Sequence, residues 1–186
     1  MPNIHALKKD ICEIGRRLYD KSYIVANEGN ISIRVDENRI LATPTGLNKG
    51  FLKIEDIVSI DMKGEKIEGE RRVSSEIMIH LKAYRDRPDV RAVVHAHPPY
   101  AVAFAIVGKP LNDCVIPEVV VGLGGVPLAP YGTPGTPELP DTMTEVLKKS
   151  DAFLMSNHGV MAVGPDVYSA HMRLESVEHF AQSYHL

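Results

Sequence analysis

Residues 90–98 read VRAVVHAHP: an apolar run, two histidines one residue apart, then proline. A short apolar run closed by Pro98-Pro99 predicts a buried strand, and those prolines suit the first turn of a helix through AVAFAIVG, 101–108. Upstream, SSEIMIHLKAYRDRP (74–88) opens on a serine suited to cap a helix and stops at Pro88. Further upstream, DIVSIDMKGEKIEGE (56–70) reads as a hairpin around Lys63-Gly64, RILATPTG (39–46) as a strand ending in a turn, and NISIRV (30–35) as an alternating strand. Ile4, Leu7, Ile11, Ile14 and Leu18 recur at helical spacing, with Asn3 placed to cap them. Downstream, VIPEVVVGLGGVPLAPYG (115–132) is strand-like and broken by glycines, TPELPDTMTEVLKKS (136–150) predicts a helix, and AFLMSNHG and VMAVG predict two strands. Val167, Ala170, Leu174, Val177 and Ala181 mark a last helix. Strands and helices interleaved in this irregular order predict one α/β domain over residues 1–186: three layers, α/β/α, around a mixed and mostly antiparallel sheet.

The chain has 186 residues, 44% hydrophobic and 24% charged, with net charge -3. That composition gives no nucleic-acid or membrane surface, so any anion site must be built locally from amides and hydroxyls. The opening MPNIHALKKD shows no basic stretch leading into an apolar core, and no apolar run is long enough to span a bilayer, so a cytoplasmic chain is expected. Two isolated cysteines, Cys12 and Cys114, make no disulfide framework and are expected reduced and buried.

His95 and His97 flank Ala96 at a strand end. Strand side chains alternate, so both imidazoles point the same way, with Cα atoms roughly 6.6 Å apart, within reach of one metal ion. His158, in a turn beside Gly159 after an apolar strand, is the best third ligand. His80, four residues after Glu76 on the same helix, is placed to support it, though an exposed or capping role is the expectation; His171 and His179 are expected to face solvent or an interface, and His5 and His185 are terminal. HExxH is absent, which argues against a zincin protease, and no carboxylate follows the HxH pair at short spacing, which argues against a cupin-like barrel.

Gly29-Asn30, Thr45-Gly46 and Ser74-Ser75 form three turns rich in small and hydroxylated residues, and the last opens a helix. Free N–H groups at a helix start favour an anion, and Asn30, Thr45, Ser74 and Ser75 add donors without any lysine. Glu76 follows directly. A carboxylate beside an anion site is costly unless a cation offsets it, so Glu76 is a candidate fourth ligand or general base.

The pieces NEGNIS (27–32), TPTG (43–46), SSE (74–76), HAHP (95–98), PYGTPGTPEL (130–139) and NHG (157–159) occur in this order. On them the chain resembles the class II aldolase/adducin-head family, from about residue 3 to 184. The resemblance implies a sugar-phosphate lyase that splits a ketose 1-phosphate into dihydroxyacetone phosphate and a short aldehyde. It implies zinc on His95, His97, His158 and Glu76, and three imidazoles with one carboxylate would also accept cobalt or manganese. Glu76 would leave the metal to act as acid/base, while Asn30, Thr45, Gly46, Ser74 and Ser75 would bind phosphate. A homotetramer with active sites between subunits is implied as well. At the place of the family's interface tyrosine this chain has Val121, and the nearest ionisable group is Glu118, a candidate for the aldehyde half of the reaction. The family's second tyrosine, on a C-terminal tail, has no counterpart before Leu186. Sugar-phosphate 4-epimerases, dehydratases and decarboxylases of related fold are the enzymatic rivals. The epimerases carry Asp where this chain has Glu76. A non-catalytic adducin-head module is the rival outside enzymes, but it lacks the ligand histidines.

Overall fold

The computed structural model describes residues 3–113 and 117–185, without the side chains of 118–120 and 185. Asn3 accepts the backbone N–H of Ala6 and starts α1, Ile4–Asp20. Then come β1 (Asn30–Arg34), β2 (Ile40–Ala42), two short 3-10 turns (Lys49–Phe51 and Ile54–Asp56), β3 (Val58–Ile60) and β4 (Lys66–Glu68). The second half holds α2 (Ile77–Asp86), β5 (Ala92–Ala96), α3 (Pro99–Ile106), α4 (Pro117–Leu123), β6 (Leu128–Ala129), α5 (Glu138–Thr142), α6 (Thr144–Leu147), β7 (Ala152–Met155), β8 (Gly159–Gly164) and α7 (Val167–His185).

The eight strands lie in one sheet in the order β4-β3-β2-β1-β5-β8-β7-β6. Every pairing is antiparallel except that of β6 with β7. Alternation divides the core. Ile31, Ile33, Val94 and Ala96 pack with Ile11, Ile14 and Leu18 of α1 and Leu174 and Val177 of α7. Val93, Phe153 and Met161 face the other way, onto Leu81 and Tyr84 of α2, Leu139 of α5 and Leu147 of α6. Each fully buried Leu, Val or Ile contributes roughly 1.5–3 kcal/mol, so two helix layers on one sheet are the arrangement that hides both of its faces. β5, the HxH strand, lies near the middle, with His95 opposite Asn30 on β1 and Met161 on β8.

Several expectations are corrected. Residues 117–123, read as strand, are helical, because Pro117 supplies the preset φ of a first helical turn and the β preference of the valines yields to tertiary context. The helix predicted over 136–150 is split into α5 and α6. Ser74 does not cap α2, which starts from Glu76 without a side-chain cap. His80 and His171 are both buried rather than exposed. Cys12 is free but only half-buried, and Cys114 lies outside the described residues. No helix among the described residues is long and apolar enough to cross a membrane.

Candidate metal and anion site

His95, next to last in β5, lies on the α2 side of the sheet and is wholly buried. Its Nδ1 donates to the carbonyl of Val160 across the strand pair at 2.8 Å, so the Nε2 lone pair is left facing the site. His97 lies just past the strand, its backbone N–H held by the carbonyl of Tyr23 at 2.8 Å. The Nε2 atoms of His95 and His97 face each other at 3.1 Å. His158 enters from the β7–β8 turn, where Asn157 adopts φ 56°. Ring nitrogens of His95, His97 and His158 all lie within 4.8 Å of one another.

Gly159 makes this convergence geometrically available. A Cβ there would come within 2.6 Å of His97 Cδ2, 2.7 Å of the Ala96 carbonyl and 3.0 Å of His95 Cε1. Burial lowers the basicity of both His95 and His97, which favours the neutral, metal-binding form. The outer nitrogens are partly oriented: His97 Nδ1 lies 3.4 Å from Glu28 Oε2, whereas His158 Nδ1 is buried without a hydrogen-bond partner. Three converging imidazoles, one of them oriented by a carbonyl and one by a carboxylate, fit a divalent cation such as zinc.

Glu76, from the start of α2, closes the fourth side. Its Oε1 is 3.0 Å from His158 Nε2 and its Oε2 is 3.6 Å from His95 Nε2. Burial alone would raise its pKa. The hydrogen bond from His158, the fields of His95 and His158 and the amide of Asn30 outweigh that, and the carboxyl stays below its ordinary range. Asn30 Nδ2 donates to Glu76 Oε2 at 3.0 Å and to Ser74 Oγ at 3.3 Å. The TPTG turn runs alongside: Ser74 N–H donates to the Thr43 carbonyl and Thr45 N–H to the Arg72 carbonyl. Thr45, Gly46 and Ser75 are exposed, and Gly46 has φ 76° with open space where a Cβ would stand. Thr45 also borders a cavity of about 850 Å³ lined with charges, including Asp56, Arg71 and Arg72, but this cavity touches none of the histidines.

Of the residues predicted from the sequence, the structure joins His95, His97, His158, Glu76, Asn30 and Ser74 directly and places Thr45 on the adjoining turn. Val121 is 89% exposed, and the side chain of Glu118 lies outside the described residues. Because α4 is a helix, strand alternation gives no guide to where Glu118 points. Two residues were missed. Glu28 lies within NEGNIS, whose pattern alone carries no sign that it sits 3.4 Å from His97. Lys49 is buried and donates to the carbonyls of Asn27 and Leu47 at 2.5 and 2.9 Å. Burial pushes its pKa down to about 8, against the opposing pull of Glu76 and Glu28. A buried lysine has no signature in hydrophobic periodicity.

Fold and site together define an α/β protein of the kind that gathers imidazoles and a carboxylate at the strand ends in the middle of one sheet, beside a turn rich in hydroxyls. The chain belongs to the family of class II aldolase and adducin N-terminal domains, whose model matches residues 9–185. It is 38% identical over 173 residues to an L-fuculose phosphate aldolase of Methanococcus maripaludis, covering 93% of each chain. It is 34% identical over 181 residues to a 3-oxo-tetronate 4-phosphate decarboxylase of Haemophilus influenzae, covering 95% of this chain and 86% of the relative. Among solved structures, an L-fuculose 1-phosphate aldolase superposes with TM-score 0.90 at 31% identity, covering 96% of this chain and 84% of the other. The L-fuculose-1-phosphate aldolase of Thermus thermophilus superposes with TM-score 0.85 at 30% identity, covering 96% and 93%.

Proposed function

We propose that this chain is a divalent-metal lyase that generates the enediolate of dihydroxyacetone phosphate by breaking a carbon–carbon bond beside a carbonyl, with a ketose 1-phosphate as substrate and a short aldehyde as second product. One observation carries this reading. Glu76 lies between three imidazoles and a Ser74–Asn30 corner with polar atoms suited to an anion, which supports a cation, a proton acceptor and a phosphate acting within one side chain's length of each other.

A cation held by His95, His97 and His158 supplies Lewis acidity toward the substrate's carbonyl and adjacent hydroxyl. Zinc suits the donor set best, and cobalt or manganese would substitute. The protein's own groups do the rest. Ser74, Ser75, Thr45, Gly46 and the start of α2 hold the phosphate and fix C1. Retro-aldol cleavage between C3 and C4 leaves its electron pair on C3. Glu76, released to carry a proton, delivers it there, and the reverse transfer opens condensation. The departing C4 hydroxyl must also lose a proton. Val121 cannot take it, and Glu118 is the proposed acceptor from the same segment.

Similarity to a 3-oxo-tetronate 4-phosphate decarboxylase supports a second reading of the same site. A 2-hydroxy-3-oxo acid 4-phosphate that loses its carboxyl as carbon dioxide leaves the same enediolate, and no hydroxyl proton has to be taken. Phosphate, Glu76 and the histidines would serve either substrate unchanged. A homotetramer with interfacial sites is part of the proposal, supported by the exposed apolar side chains of Ile106, Val107, Val121 and Met172. Metabolic relatives support a cytoplasmic location.

The test is product analysis of the metal-loaded protein with a panel of ketose 1-phosphates and a 3-oxo acid 4-phosphate. Aldehyde together with dihydroxyacetone phosphate supports the aldolase. Dihydroxyacetone phosphate with carbon dioxide supports the decarboxylase. Dihydroxyacetone phosphate from neither substrate class overturns both. Glu76→Gln should slow turnover by about 10²–10⁴-fold and abolish solvent-proton exchange at C3 of dihydroxyacetone phosphate. Exchange at the wild-type rate would return Glu76 to the role of a helix-start acid.

A further inference from the structure

Beneath the site, a line of buried polar side chains runs away from Glu76 between β1 and α2. Asn30, Ser32, His80 and Tyr84 are each at most 4% exposed. The contacts run in sequence. Tyr84 OH lies 2.7 Å from Ser32 Oγ, Ser32 Oγ lies 2.7 Å from His80 Nδ1, His80 Nε2 meets Asn30 Oδ1, and Asn30 Nδ2 meets Glu76 Oε2 at 3.0 Å. The two elements are commensurate. Four helical residues advance about 6 Å and two strand residues about 6.8 Å, so Glu76, His80 and Tyr84 on α2 fall beside Asn30, Ser32 and Arg34 on β1. Beyond the last rung, the Arg34 guanidinium lies 4.7 Å over the Tyr84 ring.

The direction of every hydrogen bond follows from one end. An ionised Glu76 can only accept, so Asn30 must turn its Nδ2 to it and its Oδ1 to His80. His80 must then carry its proton on Nε2, which leaves Nδ1 to accept from the Ser32 hydroxyl, and the Ser32 oxygen in turn accepts from Tyr84. Ser74 is also committed. Its oxygen accepts from Asn30 Nδ2 and from the backbone N–H of Glu76, both at 3.3 Å, so its own hydrogen is free to donate outward. A polar string costs stability where an apolar helix–sheet contact would serve, and it is tolerated here because every member is paired.

We infer that His80 is a positioning residue: through a one-way chain from Tyr84 and Ser32 it locks the Asn30 amide, which makes Glu76 an acceptor and Ser74 a donor at the same time. The proton-handling and phosphate-binding halves of the site are thereby coupled through one amide. The inference rests on the roles proposed above for Glu76 and Ser74.

Two measurements test it. The first is nitrogen-15 NMR of imidazole-labelled protein, which needs no substrate. Wild type should show His80 as the Nε2-protonated tautomer, and Ser32→Ala should mix the tautomers. An Nδ1-protonated His80 in wild type would overturn the chain whatever reaction the protein performs. The second compares His80→Phe with His80→Gln, whose amide offers both a donor and an acceptor. His80→Phe should lose about 10–100-fold in turnover and raise the KM of the phosphorylated substrate in the same variant, and His80→Gln should recover most of both. A loss shared equally by the two variants, or a loss of thermal stability with kinetics unchanged, would assign His80 to packing alone. If the substrate panel gives no product while the tautomers behave as expected, the functional reading fails and the chain stands.

Discussion

On the proposed reading, a single atom of Ser74 sets a specificity. With both lone pairs of its oxygen engaged by N–H groups, the hydroxyl has only donation left to offer a ligand. Ser74→Ala removes a donor to a dianion, worth about 1.5–3 kcal/mol, so KM for a phosphorylated substrate should rise roughly tenfold or more. The same variant assayed with the unphosphorylated sugar should show no such rise; an equal loss there would make the turn structural. His80 carries a pH consequence. Burial lowers its pKa to about 3 against the opposing field of Glu76, whereas the unfolded chain takes up that proton near 6.5. Between those values the unfolded state binds more protons, so stability is complete above about pH 6.5 and declines as pH falls toward 3. Urea midpoints measured at pH 7.5, 6 and 5 should therefore fall more steeply for wild type than for His80→Gln, by an amount that grows to the order of a few kcal/mol at the acid end. Parallel slopes would mean that His80 is solvated.

At the scale of elements, what was legible followed from local periodicity. The 3-4-3-4 spacings of α1 and α7, the alternation of β1 and the proline stop after β5 each depend on neighbours in sequence, and the structure has all four. The metal-ligand candidates were legible for the same reason, since His95 and His97 are two residues apart on a strand. The Glu76–His80 spacing of four was legible as a possible supporting contact on one helix face, but Ser32 and Tyr84 were not, because they acquire a meaning only when β1 is known to lie beside α2. The valines of 119–121 misled, because the β preference of branched residues yields to tertiary context, and the segment is helical. Packing between elements also sets a test remote from the histidines. A Cβ on Gly15 of α1 would come within 2.3 Å of the Lys49 carbonyl, the start of the 3-10 turn behind Thr45-Gly46. Alanine would gain up to about 1 kcal/mol of helix propensity, but overpacking costs about 1–3 kcal/mol, so the overlap wins. Gly15→Ala should lower the denaturation midpoint and raise KM through the displaced turn. A stabilised variant would show that α1 does not dock there.

At the scale of the whole molecule, the site is where four segments distant in sequence meet: the start of β1, the end of β5, the β7–β8 turn and the start of α2. None can hold a cation alone, and the unfolded chain has no such cluster, so binding a metal there is linked to folding. A ligand present at about 1,000 times its dissociation constant stabilises the native state by about 4.1 kcal/mol. In a chain of 186 residues, each kcal/mol moves Tm by roughly 2–4 °C. Removing the ion by prolonged chelation should therefore lower Tm by about 8–16 °C, and restoring zinc should recover it. His158→Ala isolates the cause, because it deletes one imidazole of the cluster and leaves His95 and its bond to Val160 in place. That variant should start with a lowered Tm and respond little to either chelator or zinc, and elemental analysis should fall from roughly one metal per chain toward none. If instead the wild type purifies without metal and its Tm ignores zinc, the imidazoles are held together by Glu76, Glu28 and the Val160 carbonyl without an ion, and the lyase reading loses its Lewis acid.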